Sequence, residues 1–353
     1  MEKEWSNLRA LAVIGQAQMI LRELEKPQLK TDKVLIKVAY CGICGSDLPR
    51  YFEGGVHAFP QVLGHEFSGV IEAVGSEVTD FVKGDRVAVA PLIPCGTCEA
   101  CQKGEPAMCT HYSFIGSREQ GAMADYISVP ARNCIKVPAS LSLKEAALLE
   151  PLTVAIHGIE RVTLHAGVSV MVLGAGTIGL LTLLALRAKG VGNIIVVDLN
   201  EKKLTIAKTI GADHLVNPND CSLEEYFETH ELPEVVIETA GSAITQVQAV
   251  RFVQKKGKVS YVGTSTKEVV FTPNDFEKIL RGELEITGSW MSYSAPFPGY
   301  EWTAGIRYME KKEIDVNPLI TGVYSLEDQA IPFEEMRKKE SEQVKVLYEI
   351  HPE

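Results

Sequence analysis

The chain has 353 residues, more than a single hydrophobic core usually serves, and this length predicts two domains. Apolar residues make up 46% of the chain and charged residues 23%, which is typical of a globular protein and argues against long disordered tracts. The formal net charge is -11, and because no basic block offsets it, neither nucleic acid nor an anionic membrane is expected as a partner.

Residues 1–35 mix charged side chains with short apolar stretches and lack the apolar segment and cleavage site of a signal peptide. We therefore expect a cytoplasmic protein. Residues 168–186 form the one apolar run long enough to consider for a membrane span, but glycines interrupt it. Those glycines are better explained by a nucleotide-binding turn in a soluble domain.

The first part of the chain is rich in short β-prone runs. Between residues 31 and 132, Gly and Pro break these runs repeatedly. This pattern is typical of a compact β-rich barrel, and we place the first domain at residues 1–155.

A candidate metal site in this domain consists of Cys44, His65 and Glu150. A cysteine and a histidine alone indicate little, because a lone buried histidine is usually a core residue. Glu150, however, stands in the mainly apolar stretch 146–156, where an unpaired carboxylate is costly to bury without a cation or hydrogen bonds. A catalytic zinc takes three protein ligands and keeps one position open, and these residues supply such a set. Cys41 competes with Cys44 for the role of thiolate ligand.

A second cluster of potential ligands lies in a loop at about residues 92–112. Its cysteines follow the spacing C-x2-C-x2-C-x7-C, and they are Cys95, Cys98, Cys101 and Cys109. Such gaps let neighbouring thiolates reach one tetrahedral zinc ion. Since four thiolates leave no open position, the pattern predicts a structural zinc; the alternative is an iron–sulfur cluster.

After Pro151 the pattern changes, because short buried strands alternate with longer helical stretches up to about residue 290. This alternation predicts a parallel sheet with crossover helices, a doubly wound α/β domain at residues 156–290. Residues 291–353 are irregular and aromatic and then end in a predicted helix and strand. We expect this tail to return to the first domain.

The first predicted strand of the second domain runs straight into the motif G-x-G-x-x-G and then into a predicted helix. A second strand ends in Asp198, 19 residues after the last glycine of that motif, which completes a dinucleotide-binding fingerprint. Asp198 would accept hydrogen bonds from the adenosine ribose and repel a 2′-phosphate, so NAD is expected rather than NADP. Lys203 lines the adenine pocket or is an exposed helix residue. The candidate cofactor residues of the glycine turn are Gly174, Gly176, Thr177, Ile178 and Gly179.

With these motifs in order, the sequence resembles the zinc-containing medium-chain dehydrogenase family along nearly its whole length. The resemblance rests on Cys44-Gly45-Ser46-Asp47, Gly64-His65-Glu66, the four-cysteine loop, Glu150-Pro151 and the glycine turn. It implies a GroES-like β-barrel catalytic domain and a Rossmann domain, with the active site in the cleft between them. It also implies a homodimer with two zinc ions per chain, one catalytic and one structural, and NAD as cofactor.

The resemblance also assigns roles by position. Cys44, His65 and Glu150 would hold the catalytic zinc, and Glu66 matches a second carboxylate that can approach the metal. Ser46 matches the hydroxyl that accepts the proton of the zinc-bound alcohol. Many relatives pass that proton outward through a histidine where this chain has Pro49, so the route of the proton is open.

More specific strings resemble those of family members that oxidise a secondary alcohol of a polyol phosphate. These strings are Gly45 to Arg50, Phe114 to Arg118 and Gly288 to Ser294. Such a substrate needs a cation for its phosphate, and Arg50 and Arg118 are the candidates. A sorbitol- or threonine-type zinc dehydrogenase acting on an unphosphorylated substrate is the alternative, and a non-catalytic nucleotide-binding protein is a second one.

Overall fold

The computed structural model describes residues 7–338 and 340–352. The chain divides into two compact units. The first takes in the chain up to Glu150, residues 293–310 and the chain from Ile320 onward, and the second takes in residues 151–292 and 311–319. The outermost parts of the predicted domains, residues 1–6 and 353, lie outside the described residues, and the predicted bounds 155 and 290 stay predictions.

The strands in chain order are β1 (Asn7–Gly15), β2 (Gln18–Glu25), β3 (Lys33–Ile43), β4 (Gln61–Val62), β5 (Glu66–Val74), β6 (Arg86–Val89), β7 (Leu92–Ile93), β8 (Ser113–Phe114), β9 (Tyr126–Pro130), β10 (Cys134–Lys136), β11 (Ser169–Leu173), β12 (Asn193–Val197), β13 (His214–Val216), β14 (Val235–Glu238), β15 (Lys258–Tyr261), β16 (Glu285–Gly288), β17 (Ile320–Tyr324) and β18 (Lys345–Glu349).

The helices in chain order are α1 (Asp47–Phe52), α2 (Glu99–Gln102), α3 (Leu143–Ala146), α4 (Leu149–Glu160), α5 (Thr177–Ala188), α6 (Glu201–Thr209), α7 (Leu223–Thr229), α8 (Ala243–Arg251), α9 (Pro273–Gly282), α10 (Tyr300–Glu310) and α11 (Ile331–Arg337).

The first unit is built mainly of antiparallel strands. Its largest sheet has the order β10-β6-β5-β3-β18-β17, and β9 also pairs with β3; a second sheet has the order β2-β1-β4. The central strand β3 is rich in β-branched and apolar residues and is buried along nearly its whole length. The C-terminal strand β18 pairs antiparallel with β3, so residues far apart in the sequence become neighbours at the end of β3.

The second unit contains a six-stranded sheet of order β13-β12-β11-β14-β15-β16. Every pair in it is parallel, and helices connect successive strands. The inner strands β11 and β12 are apolar after their first residue because both faces of such a sheet are buried. This confirms the predicted doubly wound sheet. The strand order reverses between β11 and β14, and ligands of such sheets bind outside the carboxyl ends of the strands at this point.

None of the helices in the described ranges is long and apolar enough to cross a membrane.

Candidate metal centres and nucleotide site

The four cysteines of the loop come together as one cluster. Their sulfur atoms all lie within 4.8 Å of one another, with 4.0 Å between the Sγ atoms of Cys95 and Cys101 and 3.8 Å between those of Cys98 and Cys109. Four ligands at about 2.3 Å around one tetrahedral zinc would lie about 3.8 Å apart. The spacing therefore fits a single ion, and it is too wide for disulfides.

Backbone N–H groups in this cluster donate hydrogen bonds to a cysteine sulfur. The N–H groups of Thr97 and Cys98 donate to Cys95 Sγ at 3.4 and 3.3 Å. The Thr97 hydroxyl makes the largest contribution, and together with these amides it lowers the pKa of the Cys95 thiol to about 5. A thiolate is the form of cysteine that binds metals, so these hydrogen bonds favour the metal-binding state of Cys95.

A second cluster consists of Cys44, His65 and Glu66, whose ligand atoms also lie within 4.8 Å of one another. Two paired strands create it. Cys44 follows the last residue of β3, His65 precedes the first residue of β5, and the register pairs Gly42 with Glu66. A Cβ atom at Gly42 would lie 2.4 Å from Glu66 Oε2, so glycine at this position leaves room for the carboxylate.

Glu66 has a partner that the sequence motifs did not predict. Lys345 Nζ donates to Glu66 Oε2 at 2.6 Å and to the carbonyl of Ile43 at 3.1 Å. The side chains of Lys345 and Glu66 are both 2% exposed. A lysine at the start of the apolar strand β18 was the available signal, because a lysine buried in a sheet needs a partner.

Asp47 is a second residue to which the sequence motifs assigned no role. Its side chain is fully buried, and Oδ2 accepts a hydrogen bond from the Cys44 backbone N–H at 3.1 Å. Oδ1 accepts from Arg50 Nη1 at 2.9 Å and lies 3.6 Å from His65 Nδ1. Asp47 thus links two members of the cluster to an arginine. Nη1 of that arginine also donates to Ser46 Oγ at 2.8 Å.

Glu150 lies in the first turn of α4 and is buried. It is not among the residues whose ligand atoms lie within 4.8 Å of one another. Burial raises its pKa to about 8; His65 and Lys345 oppose this shift, and the charges of Glu66 and Cys44 add to it. Glu150 therefore belongs to the same electrostatic environment, while Glu66 is the carboxylate that the fold brings into the tight cluster.

The donor set of this cluster fits a divalent cation. Burial raises the pKa of the Cys44 thiol to about 12, and the neighbouring Glu66 and Asp47 carboxylates contribute to this rise. His65 Nδ1 is buried and has no hydrogen-bond partner among residues 7–338 and 340–352. A half-buried thiol, a buried imidazole and a buried carboxylate are gathered around one point. These are ligand types that zinc prefers, and a cation would offset the negative charges placed there.

Arg118 is connected to this cluster through an aromatic side chain. The ring of Phe114 packs edge-on against His65, with centroids 5.5 Å apart, and its carbonyl accepts from the backbone N–H of Arg118 at 2.9 Å. The exposed Arg118 guanidinium lies over the ring of Tyr112, 4.2 Å from its centroid. Arg118 therefore belongs to a segment that contacts His65, a candidate zinc ligand.

In the second unit, the glycine turn lies between β11 and α5, where the order of the sheet reverses. Gly174 has φ of +100°, and a Cβ atom at Gly179 would lie 1.9 Å from the Gly174 carbonyl, so both positions require glycine. Gly176 is the N-cap of α5 and has no side chain with which to cap the helix, and a Cβ atom at this position would face open space among the described residues. The first turn of α5 contains Thr177 and Ile178, and a helix N-terminus beside open space fits a pyrophosphate.

Asp198 follows β12 and lies beside this turn. Oδ2 accepts from the Ala175 N–H at 2.6 Å, and Oδ1 accepts from the Asn200 N–H at 2.8 Å. Each carboxylate oxygen has a second lone pair, so the Asp198 carboxylate can still accept a hydrogen bond from a ribose hydroxyl. Lys203 is half-buried in the first turn of α6.

Family models and curated proteins match this chain over most of its length. Residues 30–139 match the family described as "Alcohol dehydrogenase GroES-like domain", and residues 177–307 match the family described as "Zinc-binding dehydrogenase". The galactitol 1-phosphate 5-dehydrogenase of Escherichia coli (strain K12) is 39% identical over 88% of this chain and 91% of its own. The sorbitol dehydrogenase of Bacillus subtilis (strain 168) is 35% identical over 97% of each chain.

A solved structure gives the same result for the fold. The crystal structure of galactitol-1-phosphate dehydrogenase from Escherichia coli matches with a TM-score of 0.92 and 36% identity, covering 97% of this chain and 99% of that one. These matches confirm the predicted GroES-like and Rossmann folds. The chain belongs to the zinc-containing medium-chain dehydrogenase family and is a zinc-type alcohol dehydrogenase of the polyol dehydrogenase group, with a fold that binds NAD(P).

Proposed function

We propose that this enzyme oxidises a secondary alcohol of a polyol phosphate with NAD⁺, and that its substrate is galactitol 1-phosphate, which becomes tagatose 6-phosphate. The observations that support the proposal are an arginine bound to residues of the candidate zinc site and a second arginine on a segment that contacts that site. Arg50 is bound to Ser46 and Asp47, and Arg118 is anchored on the segment that packs against His65. The likeness to a galactitol 1-phosphate 5-dehydrogenase supports the same substrate.

Cys44, His65 and Glu150 would hold the catalytic zinc, with Glu66 as a further carboxylate within reach. When bound, zinc supplies a Lewis acid that lowers the pKa of the substrate alcohol. The ion pair with Lys345 balances the charge of Glu66.

Ser46 and the two arginines would contact the substrate, and Asp47 would hold residues of the site in place. Ser46 would relay the proton of the substrate alcohol, giving up its own hydroxyl proton as it accepts the new one, while Asp47 fixes the Cys44 amide and faces the His65 ring. Arg50 and Arg118 bind the phosphate as guanidinium groups do, with two parallel hydrogen bonds where geometry allows.

The preference for NAD over NADP rests on Asp198. Its carboxylate would accept hydrogen bonds from the adenosine ribose, and a 2′-phosphate placed there would be repelled. The first turn of α5 would hold the pyrophosphate on its backbone amides, and Lys203 would lie at the adenine side.

Two zinc ions per chain are proposed, one in each cluster. Metal analysis of the purified protein tests this number, and Cys98→Ser should remove one ion by opening the four-cysteine cluster. The matched control is Cys221→Ser, because Cys221 lies outside both clusters. One ion per chain in the wild-type protein would contradict the proposal. A homodimer is also proposed, and light scattering of the eluting protein tests it.

The substrate assignment is tested by measuring NAD⁺ reduction with phosphorylated and plain polyols. We expect kcat/KM for galactitol 1-phosphate to exceed that for galactitol by at least about a hundredfold, since a charged hydrogen-bonded pair contributes roughly 1.5–3 kcal/mol and two guanidinium groups are available. A preference for plain sorbitol would instead favour a sorbitol dehydrogenase, the candidate suggested by the 35% identical relative. Absence of turnover with every alcohol would favour a nucleotide-binding protein without catalysis.

A further inference from the structure

Of the three nitrogen atoms of the Arg50 guanidinium, only Nη1 makes hydrogen bonds to residues that the structure describes. Nη1 donates to Ser46 Oγ at 2.8 Å and to Asp47 Oδ1 at 2.9 Å. The Asp47 side chain is fully buried, and that of Arg50 is 20% exposed. One edge of the guanidinium is therefore fixed to the site.

The bond to Ser46 constrains the serine hydroxyl. A guanidinium only donates hydrogen bonds, so Ser46 Oγ is the acceptor. A serine hydroxyl has two lone pairs and one hydrogen, and Arg50 occupies one lone pair. The rotation of the hydroxyl is thereby restricted, and the remaining lone pair is available to the proton of an alcohol.

The other two nitrogens of Arg50 are available. Nε and Nη2 make no hydrogen bond to any residue in the described ranges. A guanidinium presents its donors in a rigid planar fork that suits two oxygens of a phosphate. The edge that is not fixed can therefore bind an anion while Nη1 keeps its contacts to Ser46 and Asp47.

We propose that Arg50 couples recognition of the substrate phosphate to the orientation of the Ser46 hydroxyl. The inference rests on the proposed function and deepens it. Arg50 is a positioning residue in this scheme: an anion on Nε and Nη2 immobilises the guanidinium, and the immobilised Nη1 holds Ser46 Oγ in place to accept a hydrogen bond from the substrate hydroxyl. The phosphate then contributes to turnover as well as to binding.

A simple phosphate anchor and a coupling residue predict different kinetics. Loss of an anchor raises KM and leaves kcat unchanged, whereas loss of an interaction needed in the transition state lowers kcat. Lysine keeps the positive charge but has no planar fork. Arg50→Lys should therefore keep most of the affinity for galactitol 1-phosphate, measured by calorimetry, and lose about ten- to hundredfold in kcat.

A double-mutant cycle tests whether the effect passes through the serine. Ser46→Ala, Arg50→Lys and the double variant are compared for kcat, with zinc content and circular dichroism as checks of the fold. We expect the double variant to be no slower than Ser46→Ala alone. Arg22→Gln is the matched control, because Arg22 lies on β2, outside the site. Additive losses in the two single variants would overturn the coupling.

A separate experiment measures kcat/KM for plain galactitol with and without added inorganic phosphite. If galactitol is not turned over, the best unphosphorylated alcohol replaces it. Phosphite should raise kcat/KM of the wild-type enzyme severalfold and should have no effect on Arg50→Lys or Arg50→Gln. Equal stimulation of wild type and variants, or none of either, would overturn the inference. Stimulation through Arg50 without turnover of galactitol 1-phosphate would leave the inference standing and refute the proposed substrate.

Discussion

Lys345 and Glu66 form an ion pair at 2.6 Å in which both side chains are 2% exposed. The two residues are 279 positions apart in the sequence, and the antiparallel pairing of β18 with β3 brings them together. Because such a pair is shielded from water, each charge depends on the other.

Replacing Lys345 with methionine should destabilise the protein by about 3–5 kcal/mol, since an unpaired carboxylate would remain buried. The free energy of unfolding in urea measures this. Lys338→Met, in the exposed pair with Glu335, is the control and should cost less than about 1 kcal/mol. Adding Glu66→Gln to Lys345→Met should restore part of the loss, and a cost below that of the control would refute this account of the pair.

The two carboxylates near the proposed catalytic zinc should differ in their effect on zinc content. Glu66 already has a buried cation as partner, whereas the raised pKa of Glu150 has burial as its main cause. We therefore expect Glu150→Ala to lose zinc from this site at concentrations of chelator that leave Glu66→Gln loaded. Metal analysis after dialysis measures both variants. The opposite order would make Glu66 the third ligand.

Asp198 should control the choice of cofactor. Asp198→Ala is expected to raise KM for NAD⁺ and to lower the ratio of kcat/KM between NAD⁺ and NADP⁺ by at least about tenfold, which corresponds to the loss of one charge-assisted hydrogen bond. Initial rates with each cofactor measure the ratio. Asp220→Ala, at an exposed turn of the same unit, should leave it unchanged. An unaltered ratio in Asp198→Ala would remove this residue from the specificity determinants.

The Asp275 carboxyl should make the free energy of unfolding depend on pH. Hydrogen bonds from Arg251 hold the pKa of this carboxyl well below its usual value, with a further contribution from Thr272. A lowered pKa in the folded state stabilises the protein above the unfolded pKa of about 3.9. This stabilisation is lost as the pH falls through the folded pKa.

Asp275→Asn should therefore cost most near neutral pH and less at about pH 3, where the unfolded carboxyl binds a proton. Urea unfolding at the two pH values measures the difference. A cost for Asp275→Asn that stays constant across the range would contradict the assignment.

The sequence alone was sufficient to predict the features that depend on residues close together in the chain. The cysteine loop and the glycine turn are local motifs, and their geometry follows from a few neighbouring residues. The six-stranded sheet could also be predicted, because each of its strands is an apolar run followed by a helix.

The network around the second cluster could not be predicted in the same way. Lys345 reaches Glu66 because β3 pairs with both β18 and β5, and no local pattern indicates these pairings. Asp47 lies inside a motif that was recognised, but its contact with the Cys44 amide depends on the turn into α1. Tyr293, which accepts a hydrogen bond from the Leu92 N–H, was missed for the same reason.

The most direct test of the zinc-dependent mechanism is the rate of NAD⁺ reduction by galactitol 1-phosphate as zinc is added back to the metal-depleted enzyme. We expect no turnover without metal, a rate that rises as the Cys44 cluster fills, and no recovery in Cys44→Ser, which should fold normally because the four-cysteine cluster is intact. Full turnover by the metal-depleted enzyme, or by Cys44→Ser, would contradict the account.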